Sequence, residues 1–347
     1  MKSLLLSEYN HLEVVDLAIP TVGPKEVLVR VEACGICGSD VHGYDGSSGR
    51  RIPPIVMGHE AAGMVVESGA QVKGFSEGDR VTFDSTIYCG ECEHCVRGEI
   101  NLCDSREVIG VSCADYRRSG AFAEYIVVPQ HILYHLPETI PFAEAAMLEA
   151  VSVALHAIRV SPLSDGRTVL VIGAGMIGLL TMQAARAAGY PRVLIADIDE
   201  TRLNLAKRVG AEEVLHCSGP DLVAEVLRLT NGKGVGIAFE AVGGKGTVAA
   251  AIESTCKGGS VTLIGNIAAE VTLPLQKVVT RQLRLQGSCA SAGEYPEAID
   301  LVASGKIQVK PLITAVAPLE EGPKWFQRLH AREPNLMKVV LTPIQHE

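Results

Sequence analysis

Aromatic residues are scarce in this chain, 4% of 347 positions with a single tryptophan. Glycine is abundant instead, at 35 positions, and many glycines among small aliphatic side chains suit an α/β protein with tight turns. Clusters of Lys and Arg are also missing. With a net charge of −9 and no basic stripe to follow a phosphate backbone, nucleic acid is excluded as an expected partner. Met1–Asn10 has one Lys and a Leu run too short for a secretory core, so no leader is expected there. The nearly charge-free stretch Thr168–Arg186 holds three glycines at motif spacing and ends in an Ala-rich pattern. A buried strand entering a buried helix explains it better than a bilayer does, and no membrane partner is expected. The chain has no internal repeat and no low-complexity tract. Ten cysteines in a chain this long are too sparse for a secreted disulfide scaffold. Four of them crowd into Cys89–Cys103, which in a cytoplasmic protein, the location expected here, points to metal.

What is present is apolar material for a large core. Of all residues, 47% are hydrophobic, and the length suggests about two domains. In Val27–Ala33 apolar residues alternate through Val27, Val29 and Val31, the period of a half-buried strand. Met57–Ser68 reads as a loop running into a strand, and Gly78–Phe83 as a turn and strand. The first third is therefore expected to be an irregular antiparallel β domain. After about Ala150 the pattern changes. Strands are expected at Val169–Ile172, Val193–Ala196, Glu213–His216, Val235–Phe239, Val261–Ile264 and Leu283–Gln286. Helices are expected between them, at Ile177–Ala188, Thr201–Val209, Asp221–Thr230 and near Thr247–Cys256. Strands alternating with helices imply βαβ units and a parallel sheet. From about Gly287 the pattern loosens, with a helix expected at Tyr295–Ser304 and a strand at Met337–Thr342. This tail is expected to pack back on the first domain.

Gly173, Gly175 and Gly178 form a G-x-G-x-x-G motif that follows a buried strand and opens a helix. In that order the motif reads as a dinucleotide site. Gly173 permits the tight turn, Gly175 lets backbone approach a pyrophosphate, and Gly178 lets helix and strand pack closely. The helix N-terminus offers free N–H groups to the anion. Asp197 ends the second strand, 19 residues after Gly178. A carboxylate there accepts from ribose hydroxyls and repels a 2′-phosphate, so NAD is expected over NADP. Asp199 competes for that role, and Arg202 is a nearby cation that offsets the repulsion.

Cys89-x2-Cys92-x2-Cys95-x7-Cys103 places four thiolates at spacings that surround one tetrahedral zinc. No open coordination position remains, so this zinc is expected to be structural. The alternatives are four unliganded thiols, an oxidation liability, or two disulfides. Cys37 lies in CGICGSDVH, and His59 and Glu60 lie in GHE. A thiolate, an imidazole and a carboxylate are natural zinc ligands, and a catalytic zinc keeps one position for water or substrate. Alone, Cys37 or His59 would more often be structural; beside the nucleotide motif and the four-Cys lobe they point to chemistry. Cys34, three residues earlier, reads as a packing residue.

These motifs resemble the zinc-containing medium-chain dehydrogenase/reductase superfamily, specifically its polyol (sorbitol-type) dehydrogenase branch. The resemblance covers nearly the whole chain: GICGSDVH, GHEAAG, GDRV, the four-Cys lobe, GAFAEY, LEAVSVALHA, VIGAGMIGLL, DIDETRLNLAKRVGA and MKVVL. It implies a GroES-like irregular β domain, residues 1–150 and 288–347, split around a Rossmann doubly wound parallel-sheet domain, residues 151–287. It implies that Cys37 and His59 ligate a catalytic zinc, that Glu60 ligates it or sits beside it, and that Glu149 contacts it directly or through water. Ser39 and His42 match the proton-relay positions. Met176, Ile177, Arg202 and Val242 complete the expected cofactor contacts. Two zinc ions per chain, NAD, a small polyol-like substrate and a homo-oligomer, dimer or tetramer, follow from the same resemblance. The expected reaction is oxidation of a secondary alcohol of a polyol, sugar alcohol or sugar-alcohol phosphate to a ketone.

The match departs at Ala150, where many relatives have Pro, and more seriously within 287–298. Sorbitol-type enzymes place an Arg and an aromatic soon after the Gly matching Gly287. Here Ser288, Cys289, Ala290 and Ser291 stand there, which argues against sorbitol itself. Tyr44 and Phe122 read equally as pocket walls or packing. Arg50, Arg51, Arg117 and Arg118 read as anchors for a phosphorylated polyol or as solvated surface charges. Two other readings stay open: an amino-alcohol enzyme of the threonine dehydrogenase kind, and a catalytically silent nucleotide-binding protein.

Overall fold

The alternation Val27, Val29, Val31 becomes the strand Glu26–Gly35 in a computed structural model of the chain, with all three side chains fully buried. The structure describes residues 1–113, 115–161 and 168–344. These divide into two compact units. One comprises Met1–Glu149, Ser291–Ala303 and Ile313–Glu347, the other Ala150–Ala290 and Ser304–Leu312. The segment Ser304–Leu312 lies with the second unit rather than following a single return to the first at residue 288. Its Gln308 amide donates to Gln183 Oε1 at 2.7 Å, and Gln183 Nε2 donates back to the Gln308 carbonyl at 3.2 Å.

In the first unit, Glu26–Gly35 is central to a seven-stranded sheet. It pairs antiparallel with Glu60–Ser68, Tyr125–Pro129 and Lys338–Thr342. Beyond these, Arg80–Phe83 and Leu133–His135 extend one side and Ile313–Pro318 the other. Register shifts against Glu60–Ser68, between Leu28 and Val29 and between Val31 and Ala33, bend the central strand. A three-stranded sheet joins Lys2–Glu8 with His11–Asp16 and Ile55–Val56. Leu4, Leu6, Phe83, Phe122, Ile126, Phe326 and Leu341 fill the core between them. Each large side chain so buried contributes roughly 1.5–3 kcal/mol of transfer free energy.

The second unit holds a six-stranded parallel sheet in the order Glu213–His216, Val193–Asp197, Val169–Ile172, Val235–Glu240, Thr255–Leu263, Arg284–Gly287. Numbered along the chain this is 3-2-1-4-5-6, the doubly wound order whose switch point lies beside the first strand. Helices connect the first five strands as the sequence predicts, with shifts that have local causes, and a further short helix, Leu275–Thr280, which the sequence reading did not place, leads to the sixth strand. The helix Glu200–Arg208 begins one residue before expectation because Asp199 caps it, accepting from the Thr201 and Arg202 amides. The helix Lys245–Ser254 stops before Cys256, and the fifth strand starts early because Thr255 pairs with Val235. Among the described residues, no helix is long and apolar enough to cross a membrane.

Candidate active site and metal centres

Sheet register brings the first-unit site together. Gly35 ends the central strand opposite Glu60 on one side and Val340 on the other. Cys37 then caps the short helix Gly38–Tyr44, and His59 immediately precedes the strand that Glu60 opens. As a result the ligand atoms of Cys37, His59 and Glu60 all lie within 4.8 Å of one another. Glu149, in the first turn of the helix Leu148–Arg159, falls outside that triplet. Its carboxyl is still close enough to sense His59, Glu60 and Lys338, and burial pushes it up to about 7.

Each member of the triplet has a charged neighbour. Lys338 Nζ donates to Glu60 Oε2 at 2.5 Å and to the Ile36 carbonyl at 3.1 Å, with both charged side chains buried. Burial alone would lower the Lys338 ammonium, but Glu60 holds it above its ordinary range. Asp40 is fully buried and faces His59 Nδ1 at 3.3 Å. It also accepts from the Cys37 amide at 3.2 Å and from Arg51 Nη2 at 3.0 Å. Burial works against the Asp40 carboxylate, yet His59 and Arg51 hold it down at about 2. The Asp40 carboxylate stands on the Nδ1 side of the ring without a hydrogen bond to it, the side from which zinc-binding histidines are supported when Nε2 takes the cation. Sulfur, imidazole nitrogen and carboxylate oxygen within one another's reach are a donor set that fits zinc.

Ser39 and His42 sit three apart on the helix Gly38–Tyr44. Ser39 Oγ accepts from Arg51 Nη2 at 3.1 Å, while His42 is exposed and places Nδ1 3.3 Å from Ser47 Oγ. The sulfurs of Cys89, Cys92, Cys95 and Cys103 form a second group within 4.8 Å, and none is in a disulfide. Cys89 Sγ lies 3.9 Å from Cys95 Sγ and 3.6 Å from Cys103 Sγ. Amide N–H groups of Cys95 and Asp104 draw the Cys92 thiol down to about 6, whereas desolvation and the neighbouring sulfurs push Cys95 up to about 12. Four sulfurs so crowded, unbridged by covalent bonds, fit a shared divalent cation.

In the second unit the glycine motif has the required geometry. Gly173 has a φ of +97°, and a Cβ on Gly178 would stand 1.7 Å from the Gly173 carbonyl oxygen. A Cβ on Gly175 would meet nothing within 4 Å, so open space lies over the start of the helix Met176–Ala187, where no side chain caps the backbone. Met176 and Ile177 form its partly buried first turn, and Val242 packs against Gly173. That open cradle at a helix N-terminus fits a pyrophosphate. Asp197 is tied to the motif: its Oδ2 accepts from the Ala174 amide at 2.6 Å and its Oδ1 from the Asp199 amide at 2.9 Å. Asp199, as the helix cap, is occupied. Arg202 lies 3.9 Å from Asp197 and 3.6 Å from Asp199.

Comparison with known proteins agrees. Residues 23–138 match the alcohol dehydrogenase GroES-like domain, and residues 177–304 match the zinc-binding dehydrogenase domain. An L-idonate 5-dehydrogenase of Vitis vinifera is 37% identical over 87% of this chain and 84% of its own length. A sorbitol dehydrogenase of Bacillus subtilis is 31% identical over 99% of this chain and 97% of its own. The chain belongs to the zinc-containing medium-chain alcohol dehydrogenase superfamily, in its polyol branch. A solved alcohol dehydrogenase of Escherichia coli, complexed with NADH, superposes on this dehydrogenase with a TM-score of 0.90 at 30% identity, over 99% of both chains. Zinc and a nicotinamide cofactor are thus the family's equipment.

Some expectations about this dehydrogenase's pocket change. Tyr44 and Phe122 are core residues: Phe122 is fully buried edge-on to Phe326, and the Tyr44 hydroxyl donates to the Asn10 carbonyl at 2.8 Å. Of the four arginines, only Arg50 projects freely into solvent. Arg117 donates to the Ile52 and Pro54 carbonyls, Arg118 pairs with Glu107, and Arg51 is buried. The departure at 291 lands on Asp84, whose Oδ2 accepts from Ser291 Oγ at 3.0 Å. Of Asp40, Arg51 and Lys338, the sequence reading offered only Arg51, and that as a substrate anchor or a solvated charge rather than as a support of the triplet. Two of them stood inside quoted motifs, Asp40 in GICGSDVH and Lys338 in MKVVL, but charge-pairing across 278 positions leaves no local pattern.

Proposed function

We propose that this dehydrogenase oxidises a secondary hydroxyl of a neutral polyol to a ketone, with NAD as the hydride acceptor. The observation that carries the reading is the Cys37, His59 and Glu60 donor set, closed to within 4.8 Å in a chain of this family. When bound, zinc supplies the Lewis acidity that makes an alcohol acidic near neutral pH, and the nicotinamide accepts hydride. Cys37, His59 and Glu60 would hold that zinc, with Glu149 contributing through water or in exchange with Glu60. Lys338 pairs with Glu60, and the Asp40 carboxylate stands beside the His59 ring. Ser39 receives the substrate proton and passes its own toward His42, which delivers it to solvent. The Cys89, Cys92, Cys95 and Cys103 sulfurs would hold a structural zinc.

Gly173, Gly175, Met176, Ile177, Gly178 and Val242 receive the cofactor, and Asp197 accepts from its ribose. NAD is favoured because the Asp197 carboxylate is held beside the motif, and Arg202 is already paired with Asp197 and Asp199. A neutral substrate is favoured because Arg51, Arg117 and Arg118 all have protein partners. The sheet edge Arg284–Gly287 is exposed along its length, and Leu275 and Val279 earlier in the chain are exposed apolar side chains, which supports a homo-oligomer in which a second copy covers the edge. Ten unpaired thiols suit the reducing cytoplasm. The decisive experiment follows NADH absorbance over a panel of polyols, polyol phosphates and L-threonine. Turnover of an unphosphorylated polyol is expected, and turnover of L-threonine alone would overturn the reading. His59→Ala should abolish turnover and remove one equivalent of zinc; full activity in that variant would rule the site out.

A further inference from the structure

Arg51 has no place in the chemistry just described, yet it is buried deep inside the first unit. Only 4% of it is exposed, on a chain segment pinned by Ser112, whose hydroxyl exchanges hydrogen bonds with the Ile52 amide and carbonyl. Its stem lies flat on Gly43 of the helix Gly38–Tyr44, where a Cβ would stand 2.7 Å from Arg51 Cγ and 2.8 Å from Cδ. A single nitrogen, Nη2, serves two acceptors: Ser39 Oγ at 3.1 Å and Asp40 Oδ1 at 3.0 Å. The same Asp40 oxygen faces His59 Nδ1. One guanidinium therefore joins the serine expected to carry the substrate proton to the carboxylate that stands beside His59.

The chemistry of that bond has a direction. A guanidinium has donors only and keeps its proton at any working pH. Ser39 can therefore only accept from Arg51, so one lone pair is permanently occupied. The Ser39 hydroxyl hydrogen and its remaining lone pair are left for two other partners, which is what a group needs to take one proton and release another. Without Arg51 that lone pair is released and the hydroxyl is free to rotate, so its proton has no fixed direction.

We propose that Arg51 is a positioning residue for the proton relay: it fixes Ser39 as an acceptor on one side so that its own proton is released on the other. The proposal rests on the reading of Ser39 as the relay. Gly43 is part of the same device, since only a residue without a Cβ lets the arginine stem pass.

The test compares Arg51→Met, Arg51→Lys, Ser39→Ala, the Arg51→Met/Ser39→Ala double variant and Gly43→Ala, each as zinc-loaded full-length enzyme with saturating NAD and the best polyol of the panel. Arg51→Met is expected to lower kcat at least tenfold with little change in KM and an increased solvent deuterium isotope effect, and Arg51→Lys to recover part of the loss. In the Ser39→Ala background, Arg51→Met should cost markedly less than in the wild type, what remains coming from Asp40, which loses the same guanidinium. Gly43→Ala should reproduce the direction of the Arg51→Met defect in a protein that still folds at a somewhat lower melting temperature, because its Cβ displaces the buried arginine stem while alanine itself favours a helix. This arm decides the matter if Arg51→Met does not fold. Crystals of either variant should show Ser39 in more than one rotamer. Multiplicative losses in the double variant, or wild-type kcat with Ser39 unmoved, would overturn the proposal. An inactive wild type would instead overturn the functional reading, and the Ser39 rotamer would still decide the role of Arg51.

Discussion

Asp84 offers a perturbation whose magnitude follows from the structure. It is 2% exposed, accepts from the Thr86 amide at 2.8 Å and from Ser291 Oγ at 3.0 Å, and senses the buried Glu294. Burial dominates and raises its carboxyl from 3.8 to about 6. A carboxyl raised in the folded state prefers the protonated form there, so its contribution is fully present below the unfolded value and disappears as pH rises through the folded one. The shift of about two units corresponds to roughly 3 kcal/mol at full ionisation, of which about 1 kcal/mol falls between pH 5 and pH 7.5. Asp84→Asn keeps the shape and the acceptor while removing the charge. Urea unfolding is conveniently read at Trp325, the single tryptophan, which lies in the same unit as Asp84. Asp84→Asn should gain stability over wild type on going from pH 5 to pH 7.5 by about 1 kcal/mol, visible as diverging midpoints with equal slopes. A stability difference independent of pH across that window would refute the argument, because it would mean that Asp84 ionises in the folded protein as it does in water.

In zinc-free protein, Lys338→Met should destabilise by roughly 3–5 kcal/mol in urea, since it leaves Glu60 buried without its cation, and Glu60→Gln/Lys338→Met should recover most of that loss. An effect below about 1 kcal/mol would show that the pair is solvated. Asp197→Ala removes the acceptor of two backbone amides as well as a ribose partner. It should raise KM for NAD by roughly ten- to a hundredfold and kcat for saturated enzyme much less; an unchanged KM would place the ribose elsewhere. Cys95→Ser should reduce bound zinc from two equivalents to one by mass spectrometry and lower the melting temperature, and retention of both equivalents would exclude the four-sulfur site.

Which of these features the sequence announces depends on how local their physics is. The glycine motif is local: its turn, its open N-terminus and its strand–helix contact lie within six residues, and all three follow from glycine at fixed spacing. The four-sulfur group is nearly so, within fifteen residues. The parallel sheet was legible because its central strands are short apolar runs, fully buried at Val169–Ile172 and Val235–Glu240. Helix boundaries slipped by a residue or two where a cap such as Asp199, rather than hydrophobicity, decides the start, and the fifth strand began six residues early where Thr255 pairs with Val235. The supports of the triplet are different in kind. Lys338 reaches Glu60 only because the strands Glu60–Ser68 and Lys338–Thr342 flank the same end of Glu26–Gly35. Arg51 reads as a solvated charge beside Arg50 until Gly43 is seen to leave room for its stem. A charged residue declares its partner through tertiary contact alone, so sequence offered the groups proposed to touch zinc, and only the packed sheet reveals the charges that stand beside them.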